Sequence, residues 1–166
     1  MMDNDLKYMK EAYRQAQKAL AIDEVPVGAV IVKDGQIIAR GYNQREKKQQ
    51  VTKHAELIAI EKACRQLGSW RLDDCDLYVT LEPCIMCSGA LLNARIRRVI
   101  YGASVKRWFA FRMLMQQASP EQFNHQIEYV GGVMKEECSE MLSHYFREKR
   151  KKAKIEKKRF SDETNQ

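Results

Sequence analysis

The stretch DLYVTLEPCIMC, residues 76–87, decides the fold of this chain. Its apolar first half, residues 76–81, is typical of a buried strand. Residues 84–94 then predict a helix with Pro83 at its first turn, and RRVIYGA, residues 97–103, predicts another strand. Strands that alternate with helices need crossover connections, which leave helices on both faces of a sheet. We therefore predict an α/β protein with a three-layer α/β/α sandwich.

The remaining elements complete a mixed five-stranded sheet with helices on both faces. Asp34-Gly35 lies between two β-branched runs and best supports the positive φ angles of a tight turn, so it predicts a hairpin of two antiparallel strands. The other predicted elements are an amphipathic helix over residues 5–21, a helix over residues 53–67 that Gly68 stops, an edge strand over residues 126–130 and a C-terminal helix over residues 135–157.

The length of 166 residues fits one ordinary domain. We expect a single domain over residues 1–159 that ends in a basic helix, followed by a disordered tail over residues 160–166. No apolar run approaches the ~20 residues that cross a bilayer, so we expect no membrane segment. The five cysteines are unevenly spaced and do not resemble a secreted disulfide framework. Reduced thiols predict a cytoplasmic protein.

The positive charge is concentrated near the C-terminus. REKRKKAKIEKKR, residues 147–159, contains nine Lys or Arg and two Glu, so it alone equals the whole-chain net charge of +7. Such a basic stripe commonly contacts phosphates and gives salt-dependent affinity that is blind to sequence. A solvated basic helix end would have the same composition, so charge alone leaves both interpretations open.

Two short motifs carry the candidate chemistry. KHAELIAI, residues 53–60, places His54 at a predicted helix start, and Cys84 and Cys87 lie one turn apart at another. A mixed imidazole and thiolate set suits zinc, and three ligands leave a fourth tetrahedral position for water, which is the catalytic arrangement. Glu56 is then placed to move a proton between water and substrate without being a ligand.

Each motif alone has an ordinary explanation. A lone His is more often a packed or surface residue, a CxxC pair can be a redox pair or half of a structural zinc site, and HxE recurs by chance. Together, HxE followed about thirty residues later by PCxxC is the signature of zinc nucleobase deaminases. The sequence therefore predicts a deaminase with one Zn²⁺ per chain.

Longer blocks resemble the bacterial tRNA-specific adenosine deaminases of the cytidine deaminase superfamily. The blocks span nearly the whole chain: DEVPVGAVIV, DGQIIARGYN, HAELIAI, WRLDDCDLYVTLEPCIMCSGALLNARIRRVIYGA, NHQIEYVGGV and YFREKRKK. The resemblance implies a cytidine deaminase-like fold and the hydrolysis of a wobble adenosine to inosine, with release of ammonia. It also implies a homodimer that binds the tRNA anticodon arm.

The resemblance also implies roles for individual residues. Asn43 matches the family's asparagine that holds the base by its edge, and Val27 and Ala55 match positions that wall the pocket. The family segment that grips the anticodon loop by stacking and phosphate contacts matches Tyr145, Phe146, Arg147 and Arg150. Asn43 could instead cap a loop, and Tyr145 and Phe146 could instead be core residues.

Two stretches depart from the family pattern. Lys53 adds a cation beside the expected active-site mouth. SVKRWFAFRMLMQQ, residues 104–117, stands where the family has a small Gly-rich loop, and with Lys106 it forms a bulky, basic and aromatic candidate surface for substrate. This surface predicts an altered substrate choice, towards other RNA loops or adenine in single-stranded DNA. The alternative is an amphipathic helix at a dimer interface.

Two further functions stay open from the sequence. A deaminase of free guanine or cytidine would share both zinc motifs. A catalytically silent, zinc-containing RNA-binding module would keep the metal ligands. Glu56 argues against the silent module, because a structural zinc site has no use for a nonligand carboxylate at that position.

Overall fold

The computed structural model of the protein describes residues 3–104, 110–117 and 121–164. The helices are α1 (Asp3–Ala21), α2 (Arg45–Lys48), α3 (Ala55–Leu67), α4 (Ile85–Asn93), α5 (Ala110–Gln117) and α6 (Lys135–Thr164). The strands are β1 (Gly28–Lys33), β2 (Gln36–Tyr42), β3 (Cys75–Leu81), β4 (Arg98–Ala103) and β5 (Glu128–Gly131). No helix within the described ranges is long and apolar enough to cross a membrane.

The five strands form one mixed sheet, as predicted, and their order in the sheet is β2-β1-β3-β4-β5. β1 pairs antiparallel with both β2 and β3, whereas the pairs β3–β4 and β4–β5 are parallel. The hairpin turn between β1 and β2 has φ angles of 49° at Asp34 and 74° at Gly35, so both central residues adopt the positive φ that the dipeptide predicted.

Helices cover both faces of the sheet, which confirms the three-layer architecture. On one face, α1 places Tyr8 and Met9 against Val30 and Ile100, and this cluster is buried. On the other face, α3 contacts β1 and β2, and α4 contacts α3 and α5. The strand residues that point to this second face include Ala29, Ile31, Leu77, Val79, Val99 and Tyr101.

Gly41 of β2 sets how closely α3 approaches the sheet. A Cβ at this position would overlap the carbonyl oxygen of Ala55 and would lie 2.9 Å from the backbone nitrogen of Ala59. The first turn of α3 therefore rests directly on the β2 backbone. Because this turn follows His54, the glycine also fixes the position of the candidate metal ligand.

The C-terminal helix differs from the prediction in its length. α6 continues to Thr164, so residues 160–164, which we expected to belong to a disordered tail, are helical. Lys, Arg and Glu favour the helix intrinsically, and pairs such as Lys151 with Glu148, whose Nζ and Oε1 lie 3.0 Å apart, add to that preference. Charge density alone therefore did not mark the end of the helix. Residues 165–166 lie outside the described ranges.

The unusual stretch over residues 104–117 is helical in its second part. α5 begins at Ala110, and Phe111 is fully buried with its ring in edge-to-face contact with Tyr101 and Tyr129. This packing agrees with an amphipathic helix over the second part. Residues 105–109, which include the candidate Lys106, lie outside the described residues.

Gly41→Ala is expected to lower the free energy of unfolding by about 1–3 kcal/mol, because the added methyl group overpacks the contact between β2 and α3. The matched control is Gly89→Ala in α4, where a Cβ would meet nothing within 4 Å. The control is expected to raise stability by about 0.4–1 kcal/mol. Urea unfolding measures both changes, and equal effects of the two variants would contradict the close approach described above.

Candidate metal centre and active site

The candidate metal ligands meet because two helices begin at the same place. His54 is the N-cap of α3 and Cys84 is the N-cap of α4, while Cys87 lies in the first turn of α4. Both N-caps have extended backbone, so Pro83 precedes the helix instead of lying in its first turn as predicted. His54 Nδ1 lies 3.6 Å from the sulfur of Cys84 and 3.6 Å from that of Cys87.

These distances fit a tetrahedral zinc ion. Zinc bonds of about 2.0–2.1 Å to nitrogen and about 2.3 Å to sulfur, meeting at the tetrahedral angle, separate the two ligand atoms by about 3.6 Å. The candidate ligand atoms of His54, Cys84 and Cys87 all lie within 4.8 Å of one another. The donor set therefore suits zinc in both chemistry and spacing, and it leaves one coordination position for a nonprotein ligand.

The two cysteines differ in acidity because they share a hydrogen bond. The contact with Cys87 lowers the pKa of the Cys84 thiol to about 4. The same contact, together with burial, raises the pKa of Cys87. Cys84 is thus ready to bind a cation as a thiolate at neutral pH, and a bound dication would favour the thiolate of Cys87 as well.

Glu56 lies in the first turn of α3, two residues after His54. Its side chain is buried, and burial raises the pKa of its carboxyl to about 7. A carboxyl with a pKa near neutral can both accept and donate a proton, which suits a general acid–base residue. The sequence placed Glu56 beside the metal ligands, and the structure places it in the wall of the same cavity as His54 and Cys84.

A cavity of about 270 Å³ opens at this site. Its lining residues are Val25, Val27, Asn43, Arg45, His54, Ala55, Glu56, Leu81, Glu82 and Cys84. The structure thus brings together the three predicted pocket residues Val27, Asn43 and Ala55. The sequence interpretation missed Arg45 and Glu82. For Glu82 a signal was present, because a carboxylate at the end of a buried strand, just before PCxxC, needs a specific partner.

Asn43 is buried and is held by one end of its amide. Its Nδ2 donates to Glu24 Oε2 at 3.5 Å and to the carbonyl oxygen of Val25 at 3.4 Å, while its Oδ1 is buried without a partner. Glu24 is itself fully buried and accepts a hydrogen bond from the Lys47 backbone N–H at 2.6 Å. Since both neighbours of Nδ2 are acceptors, the amide cannot turn over without placing two acceptors in contact.

The predicted RNA-binding residues lie on α6, outside the cavity. Tyr145 is buried and its hydroxyl donates to the carbonyl oxygen of Asp23 at 3.1 Å, so it is a core residue as the alternative held. Phe146 is 43% exposed, and Arg147 and Arg150 are exposed beside it. Of the four residues, Tyr145 therefore packs in the core and holds α6 in place, while the other three side chains are accessible to a ligand.

The fold and the site define a deaminase. The sequence model of the family described as MafB19-like deaminase matches residues 3–150, which is most of the chain, so the protein belongs to this family. HxE and PCxxC, which lie here at two neighbouring helix starts, together form the signature of zinc nucleobase deaminases.

More specific relatives narrow the family. A protein of Bacillus subtilis (strain 168) named tRNA-specific adenosine deaminase is 49% identical over 161 residues, which are 97% of this chain and 100% of the relative. The chain belongs to the tRNA-specific adenosine deaminase family. A solved structure from work on A-to-I editing by tRNA:A34 deaminases at the wobble position is 40% identical with a TM-score of 0.74, and the match covers 82% of this chain and 99% of that chain.

The same fold also serves a different base. The structure of guanine deaminase from Bacillus subtilis is 36% identical with a TM-score of 0.59, over 78% of this chain and 86% of that chain. Likeness of fold therefore does not by itself choose the base, and the choice has to be argued from the residues around the cavity.

Cys87→Ala is expected to remove most of the bound zinc, because two protein ligands cannot hold the ion as three do. The control is Cys64→Ala, which removes a cysteine that is not one of the three clustered residues. Metal content per chain, measured by plasma mass spectrometry after dialysis, should be about one for the native protein and the control. Zinc retained by Cys87→Ala at the native level would show that the cluster is not the metal site.

Proposed function

We propose that the protein is a zinc-dependent deaminase that converts the wobble adenosine of a tRNA anticodon to inosine. One observation carries the proposal: the buried carboxyl of Glu56, with its pKa raised to about 7, shares a cavity with His54 and Cys84. Family membership supports the adenosine substrate, and the position of Glu56 supports hydrolysis over a purely structural metal site.

In the proposed reaction the oxygen of a water molecule becomes bonded to C6 of adenine, and the 6-amino group leaves as ammonia. Zinc held by His54, Cys84 and Cys87 would lower the pKa of water towards ~7 and so supply the nucleophile at neutral pH. Glu56 accepts one proton from water and delivers it to N1 of the ring as the C6–O bond forms. It then moves the remaining proton of the added oxygen to the 6-amino group, and the C6–N bond breaks to release ammonia. Asn43 holds the base by its edge, and Val27 and Ala55 form apolar walls that limit its movement.

The exposed part of α6 is the proposed contact with the anticodon arm. Phe146 offers an exposed ring for stacking, and Arg147 and Arg150 offer charges for phosphates. The hydrogen bond from Tyr145 to Asp23 supports this assignment, because Asp23 is separated by one residue from Val25 of the cavity wall. Lys106 remains a proposed contact from outside the described residues.

We also propose a homodimer in the cytoplasm. Ile85, the first residue of α4, is 67% exposed, and Val51, shortly before the metal ligand His54, is 69% exposed. A second copy that covers these apolar side chains would remove them from water beside the site. Light scattering after size exclusion tests the dimer, and a monomer at micromolar concentration would contradict it.

Glu56→Gln is expected to reduce the rate of inosine formation by about 10²–10⁴-fold, because the amide keeps the shape of the side chain but cannot carry the proton. The substrate is an anticodon stem-loop with adenosine at the wobble position, and mass spectrometry measures the inosine. The control is Glu61→Gln on the same helix, whose side chain is 50% exposed. Zinc content should be unchanged in both variants.

The same assay separates the alternative substrates. Free guanine, free cytidine and single-stranded DNA with adenine are offered at equal concentration. Turnover of a free base or of DNA at a rate equal to that of the stem-loop would contradict the tRNA proposal. If the protein binds one zinc per chain but releases no ammonia from the stem-loop, the free bases or the DNA, the catalytically silent RNA-binding module would be favoured instead.

Phe146→Ala is expected to weaken binding of the stem-loop by about tenfold or more, because stacking of a base on an aromatic ring contributes about 1–3 kcal/mol. Arg150→Gln should weaken binding and reduce the slope of log affinity against log salt by about 0.7, as one phosphate contact is lost. Fluorescence anisotropy at several salt concentrations measures both effects. Lys18→Gln on α1 is the charge control, and an equal slope change in that variant would contradict the assignment to α6.

A further inference from the structure

Two buried oxygen atoms in the cavity lack hydrogen-bond partners. Within residues 3–104, 110–117 and 121–164, the buried side-chain atoms without a partner are Asn43 Oδ1 and Glu82 Oε2. Both residues line the cavity whose wall includes the candidate metal ligands His54 and Cys84. Both atoms are acceptors, and a buried acceptor without a donor is unfavourable, so the pair indicates a ligand that brings two hydrogen-bond donors.

Glu82 is fixed by α5, which leaves one of its oxygens for a ligand. Its side chain is 1% exposed, and Oε1 accepts hydrogen bonds from the Arg112 backbone N–H at 3.2 Å and from Arg112 Nε at 3.0 Å. The arginine offsets the charge of the carboxylate and prevents it from rotating freely. A negative charge in the pocket of an enzyme that binds a polyanion would otherwise oppose binding.

The proposed substrate, an adenosine in RNA, has few hydrogen-bond donors. An adenosine within an RNA strand has two hydrogen-bond donor groups, the 6-amino group and the ribose 2′-hydroxyl, because its 3′ and 5′ oxygens are esterified. The 6-amino group belongs to the base, which Asn43 is proposed to hold. The 2′-hydroxyl then remains for the second acceptor, and it is also the group by which a protein distinguishes RNA from DNA.

We propose that Glu82 is a specificity-determining residue whose Oε2 accepts a hydrogen bond from the 2′-hydroxyl of the target nucleotide, with Arg112 as its positioning residue. This inference rests on the proposed function, since it requires a nucleotide in the cavity. If Glu82 accepts this hydrogen bond, the wall of the cavity recognises the ribose directly, in addition to any contact from the surface of α6. It also links α5 to substrate choice through one side chain.

The test compares three stem-loops that differ only at the target adenosine, which carries a 2′-hydroxyl, a 2′-fluorine or a 2′-hydrogen. Fluorine keeps the ribose-like sugar pucker but cannot donate, so it separates the donor from the sugar conformation. The native protein is expected to have a kcat/KM for the hydroxyl loop about 10- to 100-fold above that for the fluoro loop, which is the effect of one hydrogen bond to a charged acceptor.

Glu82→Gln is the informative variant. It keeps the side-chain shape and an acceptor for Arg112, but it replaces the free carboxylate oxygen with an amide. The ratio between the hydroxyl and fluoro loops should fall by about tenfold, mainly through loss on the hydroxyl loop. Glu11→Gln on α1, which removes a carboxylate paired with Arg14 away from the cavity lining, should keep the native ratio. The ratio is internal to each variant, so a change in folded fraction does not alter it.

The outcomes separate this inference from the proposed function. Equal rates of the native protein on the hydroxyl and fluoro loops would overturn the role of Glu82 and leave the deaminase proposal standing. If Glu82→Gln keeps the native ratio of kcat/KM between the hydroxyl and fluoro loops, the role of Glu82 would also be overturned. Lack of turnover of the hydroxyl loop by the native protein would overturn the proposed function and this inference together. If Glu82→Gln does not fold, the comparison of loops with the native protein still decides whether the donor is read.

Discussion

The structure depends on the meeting of two helix starts at one point. A three-ligand site needs His54 and the two cysteines to be held within a few ångströms, although about thirty residues separate them in the chain. The sheet provides this alignment, because β3 leads directly into α4 and β2 supports the first turn of α3 through Gly41. Ligands at N-caps have little freedom to move, since the backbone of each helix fixes them. The geometry for a metal is therefore a consequence of the packing of α3 and α4.

Two buried carboxylates in one cavity have different surroundings, and the difference separates their roles. Burial raises the pKa of Glu56 to about 7, which suits proton transfer. Arg112 Nε lies 3.0 Å from Glu82 Oε1. This ion pair holds the Glu82 carboxylate in one orientation, which suits a hydrogen-bond acceptor. The same residue type can thus supply a mobile proton at one wall and a stationary hydrogen-bond partner at the other. The two carboxyl groups therefore differ because Arg112 pairs with Glu82, whereas burial dominates at Glu56.

The sequence predicted those features that local patterns determine. The Asp34-Gly35 turn, the strand periodicity and the helix starts at His54 and Cys84 all follow from interactions within a few residues. The pairing of Glu82 with Arg112 could not be predicted, because it joins a strand end to a helix in a stretch with no family pattern to guide the alignment. The contact of Asn43 with Glu24 was missed because it joins two side chains 19 positions apart in the sequence. Long-range polar contacts depend on the final fold, and no periodicity reports them.

Tyr145 and Phe146 are adjacent aromatic residues on α6, and the sequence left open whether each packs in the core or contacts RNA. Neighbouring residues on a helix point about 100° apart, because one turn takes 3.6 residues, so one ring can face the core while the next is exposed. Tyr145 faces inward and binds the carbonyl of Asp23, which leaves Phe146 exposed on the adjacent face. The inward tyrosine fixes α6 against the segment that leads to Glu24 and Val25. The outward ring and its arginines are thereby held at a fixed position relative to the cavity, as the proposed joint recognition of an RNA loop and its target base requires.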